Sequence, residues 1–325
     1  MNALPAPRRL AGAFRSALGA TLGLGMAAAL VFQPAEAFAL PAAPSAALAS
    51  APVQASGAGG PALWVIRDED STLYLFGTVH VLRPATLWRW APVESAFDSA
   101  DRLVLEISNP DDQAAMMPLI QQHGLSPDRP LSSLLNAEER SRLDAAAQTM
   151  GASGAALDPM RPWLAALTLS VAPLVKAGYD PQSGVEIALK ARAAAAGKEV
   201  GGFETIDEQI RILAGFSEDD QLSFLRSTLE DFETATTDLD RLVEAWSTGD
   251  VRAIDRLGVQ PMRRSDRSVY EALLVKRNAN WADQIQTMLD GSGTVFIAVG
   301  AAHLAGGDSV QSILDRRGVE VERIN

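Results

Sequence analysis

Short apolar runs with strand character lie near both ends of the chain, and helix-forming stretches fill the middle. Residues 62–66 and 72–77 flank a charged turn, a pattern that predicts a β-hairpin. Residues 102–107 are apolar on both alternating faces, which is typical of a central strand covered on both sides. The predicted strands are 62–66, 72–77, 102–107, 198–203, 294–299 and 319–324.

Helical segments separate most of these strands. Asn136 with Glu139, and Thr205 with Glu208, have the spacing of a capping box, so helices are expected to begin there. Residues 163–175 are almost wholly apolar, but the stretch is too short to span a bilayer and contains a proline, so we predict a kinked core helix. The predicted helices are 92–100, 111–123, 136–150, 162–177, 181–196, several between 205 and 257, 266–290 and 307–317.

Strands at both ends of the domain have to share one sheet if runs this apolar are to be buried. The predicted fold is therefore α/β, with a single mixed sheet built from N- and C-terminal strands and a large helical middle segment. We expect one catalytic domain over residues 61–325, with a helical insertion at about 111–196.

The N-terminal part of the chain differs from the rest in composition. Three arginines precede an uncharged run at 17–32, which is typical of a secretory signal peptide, and we predict that residues 1–39 form one. An uncleaved membrane anchor is the alternative, but the run is shorter than the roughly 20 residues that span a bilayer. Residues 40–60 are uncharged and rich in Ala and Pro, which predicts a disordered linker. The protein is thus expected to be periplasmic or secreted in a bacterium, without a stable membrane anchor.

The chain is acidic, with a formal net charge of −12. An acidic surface repels phosphate backbones and anionic headgroups, so nucleic acid and membrane-surface partners are not expected. The sequence contains no cysteine, which excludes disulfides, a thiolate nucleophile and thiolate metal ligands. Any bound metal ion therefore has to use nitrogen and oxygen ligands. Composition leaves the oligomeric state open.

Two of the three histidines follow a predicted strand in the same local pattern, Gly-x-x-His. The two copies are Gly77 to His80 and Gly300 to His303, whereas His123 is expected at a helix C-terminus. A glycine at a strand end allows a sharp turn, and open α/β sheets keep their sites at strand ends. If the two strands run the same way in one sheet, the imidazoles converge. Two unrelated histidines at loop starts are the alternative.

Two glutamates occupy similar strand-end positions. Glu106 lies near the end of the third predicted strand, and Glu204 directly follows the fourth. Two imidazoles and two carboxylates suit Zn²⁺, Mn²⁺ or a similar ion such as Co²⁺. Such an ion lowers the pKa of a bound water, and one glutamate could act as general base. Alternatively, Glu106 belongs to an ion pair and Glu204 only favours the first turn of the next helix.

Arg277 lies on the apolar stripe of the helix predicted at 266–290, where a guanidinium needs a partner. The partner could be a site glutamate or a substrate carboxylate, unless the side chain reaches solvent. Asn278 and Trp88 are candidates for substrate contacts, with loop support and core packing as the alternatives. Glu186 is a further candidate, either as an inward carboxylate or as a helix-surface charge, and we expect the surface.

Several motifs, in their order and spacing, make the chain resemble the TraB/GumN family, which is related to the Tiki group of metal-dependent proteases. They are Leu73-Tyr-Leu-Phe-Gly-Thr-Val-His80, Leu103-Val-Leu-Glu106, Arg161-Pro-Trp-Leu164, Gly202-Phe-Glu-Thr205, Arg277-Asn278 followed by Trp281-Ala282, and Val299-Gly-Ala-Ala-His303-Leu. The resemblance spans about residues 63–324. Glu186 departs from the family pattern, in which aspartate is expected at that position.

The resemblance implies that His80, His303 and Glu106 hold a divalent metal ion, and that Glu106, Glu204 and Arg277 serve catalysis. The leading hypothesis is an exported metal-dependent hydrolase, a peptidase that acts on a peptide or protein substrate. The second hypothesis is a metal-independent hydrolase in which a histidine is the base and a glutamate orients it. The third is a periplasmic binding or accessory protein that keeps the pocket without turnover.

Overall fold

A computed structural model of the protein describes residues 59–324, so the predicted signal peptide and nearly all of the predicted linker lie outside the described residues. The centre of the fold is one sheet of six strands. They are β1 (Leu63–Arg67), β2 (Ser71–Thr78), β3 (Arg102–Ile107), β4 (Glu199–Glu204), β5 (Gly293–Gly300) and β6 (Glu322–Arg323). Their order across the sheet is β4-β3-β5-β2-β1-β6.

The sheet is mixed. β2 pairs with β5, β5 with β3 and β3 with β4, and all three pairs are parallel. β1 is antiparallel to β2, which confirms the predicted hairpin, and β6 is antiparallel to β1. The prediction of a single mixed sheet built from both ends of the chain is therefore confirmed, although β6 is shorter than the run predicted at 319–324.

Helices cover the sheet and fill the chain between its strands. They are α1 (Ala91–Ser99), α2 (Gln113–Gly124), α3 (Ala137–Gln148), α4 (Pro162–Lys176), α5 (Val185–Ala195), α6 (Ile206–Ala214), α7 (Glu218–Asp231), α8 (Ala235–Ser247), α9 (Val251–Ile254), α10 (Gln260–Ser265), α11 (Arg267–Tyr270), α12 (Lys276–Leu289) and α13 (Val310–Arg316). Both predicted capping boxes are present, at Asn136 and at Thr205. Among residues 59–324, no helix is both long enough and apolar enough to cross a membrane.

The prediction of one continuous helix at 266–290 is wrong, because the segment is divided into two α-helices. The π-helical turn Glu271–Val275 separates α11 from α12, and a second such turn, Asp255–Val259, separates α9 from α10. A π turn accommodates one extra residue within a helix, so the regular α-helical hydrogen bonds predicted across residues 266–290 are interrupted there. The helix predicted at 181–196 is likewise interrupted at Gly184, and α5 begins at the next residue, Val185.

Apolar side chains bury both faces of the sheet. On one face the ring of Phe296 lies 5.7 Å from that of Phe76 and 5.5 Å from that of Phe97 in α1. On the other face Trp281 and Ile285 of α12 are fully buried against the strands. Burying an aromatic or branched side chain of this size contributes about 1.5–3 kcal/mol. The core therefore holds the strand ends, and the residues that follow them, in fixed positions.

Candidate active site

The two Gly-x-x-His turns lie side by side at the edge of the sheet where the parallel strands end. β2 and β5 pair in a register that places Gly77 opposite Val299. A Cβ atom on Gly77 would lie 3.1 Å from the Cα atom of Ala301, so the glycine allows the second turn to pack against the first. The indole Nε1 of Trp246 donates to the Gly77 carbonyl oxygen at 2.7 Å and fixes the turn. Parallel pairing thus brings together two motifs that are far apart in the sequence.

His80 is buried and is held by a carboxylate from the first turn of α5. Its Nδ1 lies 2.7 Å from Oε1 of Glu186. Burial lowers the pKa of His80, but the charge and the hydrogen bond of Glu186 outweigh burial, so the pKa is raised above its usual value. The expectation that Glu186 is a helix-surface charge is wrong, because its carboxylate is buried and orients the imidazole.

Gly184, which precedes α5, allows this contact because it has no side chain. A Cβ atom there would lie 2.5 Å from the His80 carbonyl oxygen. Replacing Gly184 by alanine is expected to lower the free energy of unfolding by about 1–3 kcal/mol, since the backbone has to shift. Urea denaturation measures the effect. Gly307→Ala is the control, because a Cβ at Gly307 meets nothing within 4 Å; equal stability of the two variants would contradict the steric argument.

His303 is completely buried, and its hydrogen bonds define its tautomer. Asn278 Nδ2 donates to the Asp308 carbonyl oxygen at 2.7 Å, so Asn278 Oδ1 accepts the proton of His303 Nδ1 at 2.6 Å. Nε2 therefore carries the lone pair, and Nη1 of Arg277 lies 3.2 Å from it. Burial, followed by the charge of Arg277, lowers the pKa of His303 to about 3. The ring is consequently neutral near pH 7.

Glu106 lies between the two histidines. Its Oε1 is 3.7 Å from Nε2 of His80 and 3.8 Å from Nε2 of His303. The same oxygen accepts the backbone N–H of Gly300 at 2.7 Å, and Oε2 accepts Nη2 of Arg277 at 2.7 Å. Burial alone would raise the pKa of Glu106, but Arg277, the histidines and the N–H of Gly300 lower it well below its usual range. Glu106 is therefore an ionised carboxylate.

Arg277 connects Glu106 to Glu204. Its Nε and Nη2 donate to the Glu204 carboxylate at 2.9 and 2.8 Å, in a two-point contact. Trp281 Nε1 donates to Glu204 at 3.0 Å, and Gln209 Nε2 lies 3.0 Å from Glu204 and 3.3 Å from Glu106. Burial lowers the pKa of Arg277, but the two carboxylates outweigh it and raise the pKa. One guanidinium thus compensates two buried carboxylates.

A cavity of about 150 Å³ opens beside this centre. His80, Glu106 and Glu186 contribute to its lining, and Met116 of α2 adds apolar surface. Trp88 lies elsewhere: it packs in the core, its ring 6.4 Å from that of Phe76. The predicted site residues on strand ends and on α12 are therefore brought together, whereas Trp88 is not among the lining residues.

Two further polar residues belong to the site and are absent from the sequence-based prediction. Gln209 shares the buried face of α6 with Ile206 and Ile210, and an amide at that spacing on an apolar face is a signal that points to it. Thr78 is the last residue of β2, completely buried, and lines the cavity. A lone hydroxyl at the end of an apolar strand is the corresponding signal for Thr78.

The centre offers ligands of the type that divalent metal ions use, although no group of three His, Asp or Glu residues among residues 59–324 is arranged as a ready-made metal site. The buried Nε2 of His80 has no hydrogen-bond partner among the described residues. The two imidazole nitrogens are 3.7 and 3.8 Å from Glu106 Oε1, and ligands about 2.1 Å from a tetrahedral ion are separated by roughly 3.4 Å. The distances from Glu106 to the two histidines suit one shared ion, but Nη1 of Arg277 faces the lone pair of His303 and has to move before His303 can bind it.

The fold and this centre define an α/β protein with a buried His, Glu and Arg cluster at the carboxyl edge of its parallel strands. The chain belongs to the TraB/PrgY/gumN family, whose sequence profile matches residues 62–323. It is 23% identical to an uncharacterized protein of Treponema pallidum over 78% of this chain and 80% of that protein. It is also 23% identical to the uncharacterized protein YbaP of Escherichia coli, over 78% of this chain and 92% of YbaP. No solved structure matches the chain significantly.

Proposed function

We propose that the protein is a hydrolase that cleaves peptide bonds, with His80, Glu106 and His303 as its centre. One observation carries the proposal: two imidazole nitrogens from separate strand ends face a single carboxylate oxygen beside a cavity. Glu186 holds His80 and Asn278 holds His303, so both rings present Nε2 to the same point. Such an arrangement suits the activation of a water molecule.

The metal-dependent form of this proposal assigns a divalent ion, Zn²⁺, Mn²⁺ or Co²⁺, to His80, Glu106 and His303. When bound, the ion would lower the pKa of a water molecule and polarise the substrate carbonyl. The protein's own contribution is to orient the ligands. Arg277 and Glu204 then lie next to the ligand Glu106, where the guanidinium keeps the Glu106 carboxylate ionised and oriented.

A metal-independent hydrolase is the second candidate, and a specific contact favours it. Nη1 of Arg277 already faces the lone pair of His303 at 3.2 Å, which leaves His80 as the available base. The Glu186 carboxylate on His80 Nδ1 would stabilise the imidazolium that forms when His80 Nε2 takes a proton from water. In this form Arg277 and His303 position Glu106 without a metal ion.

Chelation separates the two forms. Purified protein is analysed for bound metal and incubated with a peptide library with and without a chelator. The metal-dependent form predicts that chelation reduces cleavage by at least about 100-fold and that one of the three ions restores it. Cleavage that persists in metal-free protein would support the metal-independent form. If no peptide is cleaved under any condition, the hydrolase proposal fails and a binding or accessory role takes its place.

We further infer that the substrate is met outside the cytoplasm, because residues 1–39 have the pattern of a secretory signal peptide. The substrate is then a peptide or a protein segment of the periplasm or of the surroundings. N-terminal sequencing of the protein recovered from the periplasm and the medium tests export, and a cytoplasmic chain that keeps its first residues would exclude it.

A further inference from the structure

Three residues that line the cavity have a buried polar atom without a hydrogen-bond partner among the described residues. The atoms are Oγ1 of Thr78, Nε2 of His80 and Oε2 of Glu186. All three residues are more than nine-tenths buried. Leaving a buried polar atom unpaired costs free energy, so such atoms are rare unless a ligand pairs with them. Their presence on one small cavity indicates a polar ligand group that binds there.

The chemistry of these atoms restricts the ligand. Glu186 Oε2 is an acceptor only, whereas His80 Nε2 has to stay available for the water molecule or the metal ion of the proposed centre. The Thr78 hydroxyl can accept as well. A group that satisfies Glu186 Oε2 and the Thr78 hydroxyl has to offer at least two hydrogen-bond donors, which an ammonium group does.

The charge around the cavity favours a cation. Its lining residues include three carboxylates, Glu106, Asp111 and Glu186, and no lysine or arginine. Arg277 forms an ion pair with Glu106 but does not line the cavity, and Lys190 forms an ion pair with Asp111 at the surface. Glu186 forms an ion pair with His80, and no lysine or arginine among residues 59–324 forms one with it. An ammonium at Glu186 would therefore be attracted by a buried carboxylate.

We propose that the cavity binds the free N-terminal ammonium of a peptide substrate, so that the protein acts as an aminopeptidase; this rests on the proposed peptide hydrolysis. Glu186 contacts His80 with one oxygen and keeps the other for the ammonium, which therefore lies next to the centre. The α-ammonium is two bonds away from the first peptide carbonyl carbon, whereas a lysine ammonium is six. Leu105, Ile107 and Ile187 give the cavity apolar walls, which suit an apolar first side chain.

The reaction is the hydrolysis of the first peptide bond. Water forms a C–O bond to the carbonyl carbon, and the C–N bond breaks. One proton of the water goes to the leaving nitrogen, which becomes the new N-terminus of the shortened peptide. The products are a free amino acid and that peptide, and neither an oxidant nor a further reactant is required.

Binding is tested first, and the recovered leucinamide is assayed for released ammonia, because its own amide bond is a possible cleavage site. Calorimetry compares leucinamide, which has a free ammonium, with N-acetyl-leucinamide, which has none. Leucinamide is expected to bind at least about 10-fold more tightly, since the acetylated amide has neither the charge nor the three donors. Equal affinity, or no affinity for either compound, overturns the ammonium site.

Two variants test whether the preference for leucinamide over its acetylated form depends on residues of the cavity. Glu186→Gln retains an acceptor for His80 but places an amide NH₂ where the ammonium would bind, so the preference for leucinamide should disappear. Thr78→Val removes an unpaired hydroxyl at nearly constant volume and should weaken leucinamide binding about 3–10-fold. Glu320→Gln removes an exposed carboxylate that does not line the cavity and is the matched control. Unchanged binding in both cavity variants contradicts the proposal.

Turnover is tested separately with leucyl peptides that have a free or an acetylated N-terminus. A kcat/KM at least about 10-fold higher for the free peptide supports the aminopeptidase assignment. Equal cleavage of both peptides overturns that assignment and leaves peptide hydrolysis in place. If leucinamide binds in a Glu186-dependent way but no peptide is cleaved, the ammonium site stands and the proposed hydrolase fails.

Discussion

Replacing Arg277 by methionine is expected to lower the free energy of unfolding by about 3–5 kcal/mol. The guanidinium contacts Glu106 and Glu204 at 2.7 and 2.8 Å, and all three side chains are only 5–6% exposed. Without it, two carboxylates remain buried close to each other with no cation between them. Urea denaturation at pH 7 measures the loss. If the m-value is unchanged, the shift of the midpoint urea concentration is proportional to the change in the free energy of unfolding.

The pH dependence of the same variant distinguishes charge from packing. In the native protein the pKa of Glu106 is lowered, so its stabilising contribution is present above the usual carboxyl pKa of about 4.3 and is lost as the pH falls through the lower folded value. Without Arg277 this pKa should rise, so the stability deficit should be smallest near pH 4 and grow toward pH 8. A deficit that does not change with pH would contradict the electrostatic explanation.

Arg317→Met is the matched control for the Arg277 variant. Arg317 forms an ion pair with Asp283 at 2.7 Å, but the side chains are 32% and 67% exposed, respectively. Exposed pairs contribute about 0–1 kcal/mol, so this substitution should change stability little. A comparable loss in both variants would mean that the buried position of Arg277 has no special importance.

Replacing His80 or His303 by glutamine is expected to reduce peptide hydrolysis by about 10²–10⁴-fold. Both imidazoles face Glu106 Oε1, and an amide can neither act as a base near pH 7 nor replace an imidazole as a metal ligand. The measurement is kcat/KM on the best substrate of the peptide screen. His123→Gln is the control, because His123 belongs to the last turn of α2 and is not part of the centre.

Stability has to be followed in the same variants. His80→Gln retains a donor that can reach Glu186, so its fold should be preserved. His303→Gln removes an imidazole whose ring centroid lies 4.3 Å from that of Trp281, so some loss of stability is expected. Hydrolysis that remains within about 10-fold of the native rate in both folded variants would exclude the histidines from the reaction.

The strands and the strand-end histidines could be predicted because both signals are local. An apolar run followed by Gly-x-x-His identifies His80 and His303 as strand-end residues, whatever the order of the strands in the sheet. The sequence could not show that the two histidines lie close together. They do so only if β5 lies beside β2 and parallel to it. That pairing is set by contacts between distant segments, which a pattern within one segment does not contain.

The inward orientation of Glu186 could not be predicted from helix composition. Its carboxylate turns toward His80 because Gly184 lets the backbone of α5 approach the first turn closely. The two π turns were missed for a similar reason. The side chains on the stripe follow one another at three- and four-residue steps, so residues 266–290 have the pattern of one helix, and the steps do not reveal which turn is π-helical.

The central position of β5 has a consequence for how the protein becomes functional. β5 is inserted between β2 and β3, and its Gly300 N–H holds Glu106, which lies 194 positions earlier in the chain. A growing polypeptide therefore presents two unpaired strand edges and no assembled centre until β5 has been made. Pairing across so long a separation is also slow. The proposed hydrolytic activity should thus arise only after β5 has been made and paired, and a chain that is exported unfolded would acquire it only at its destination.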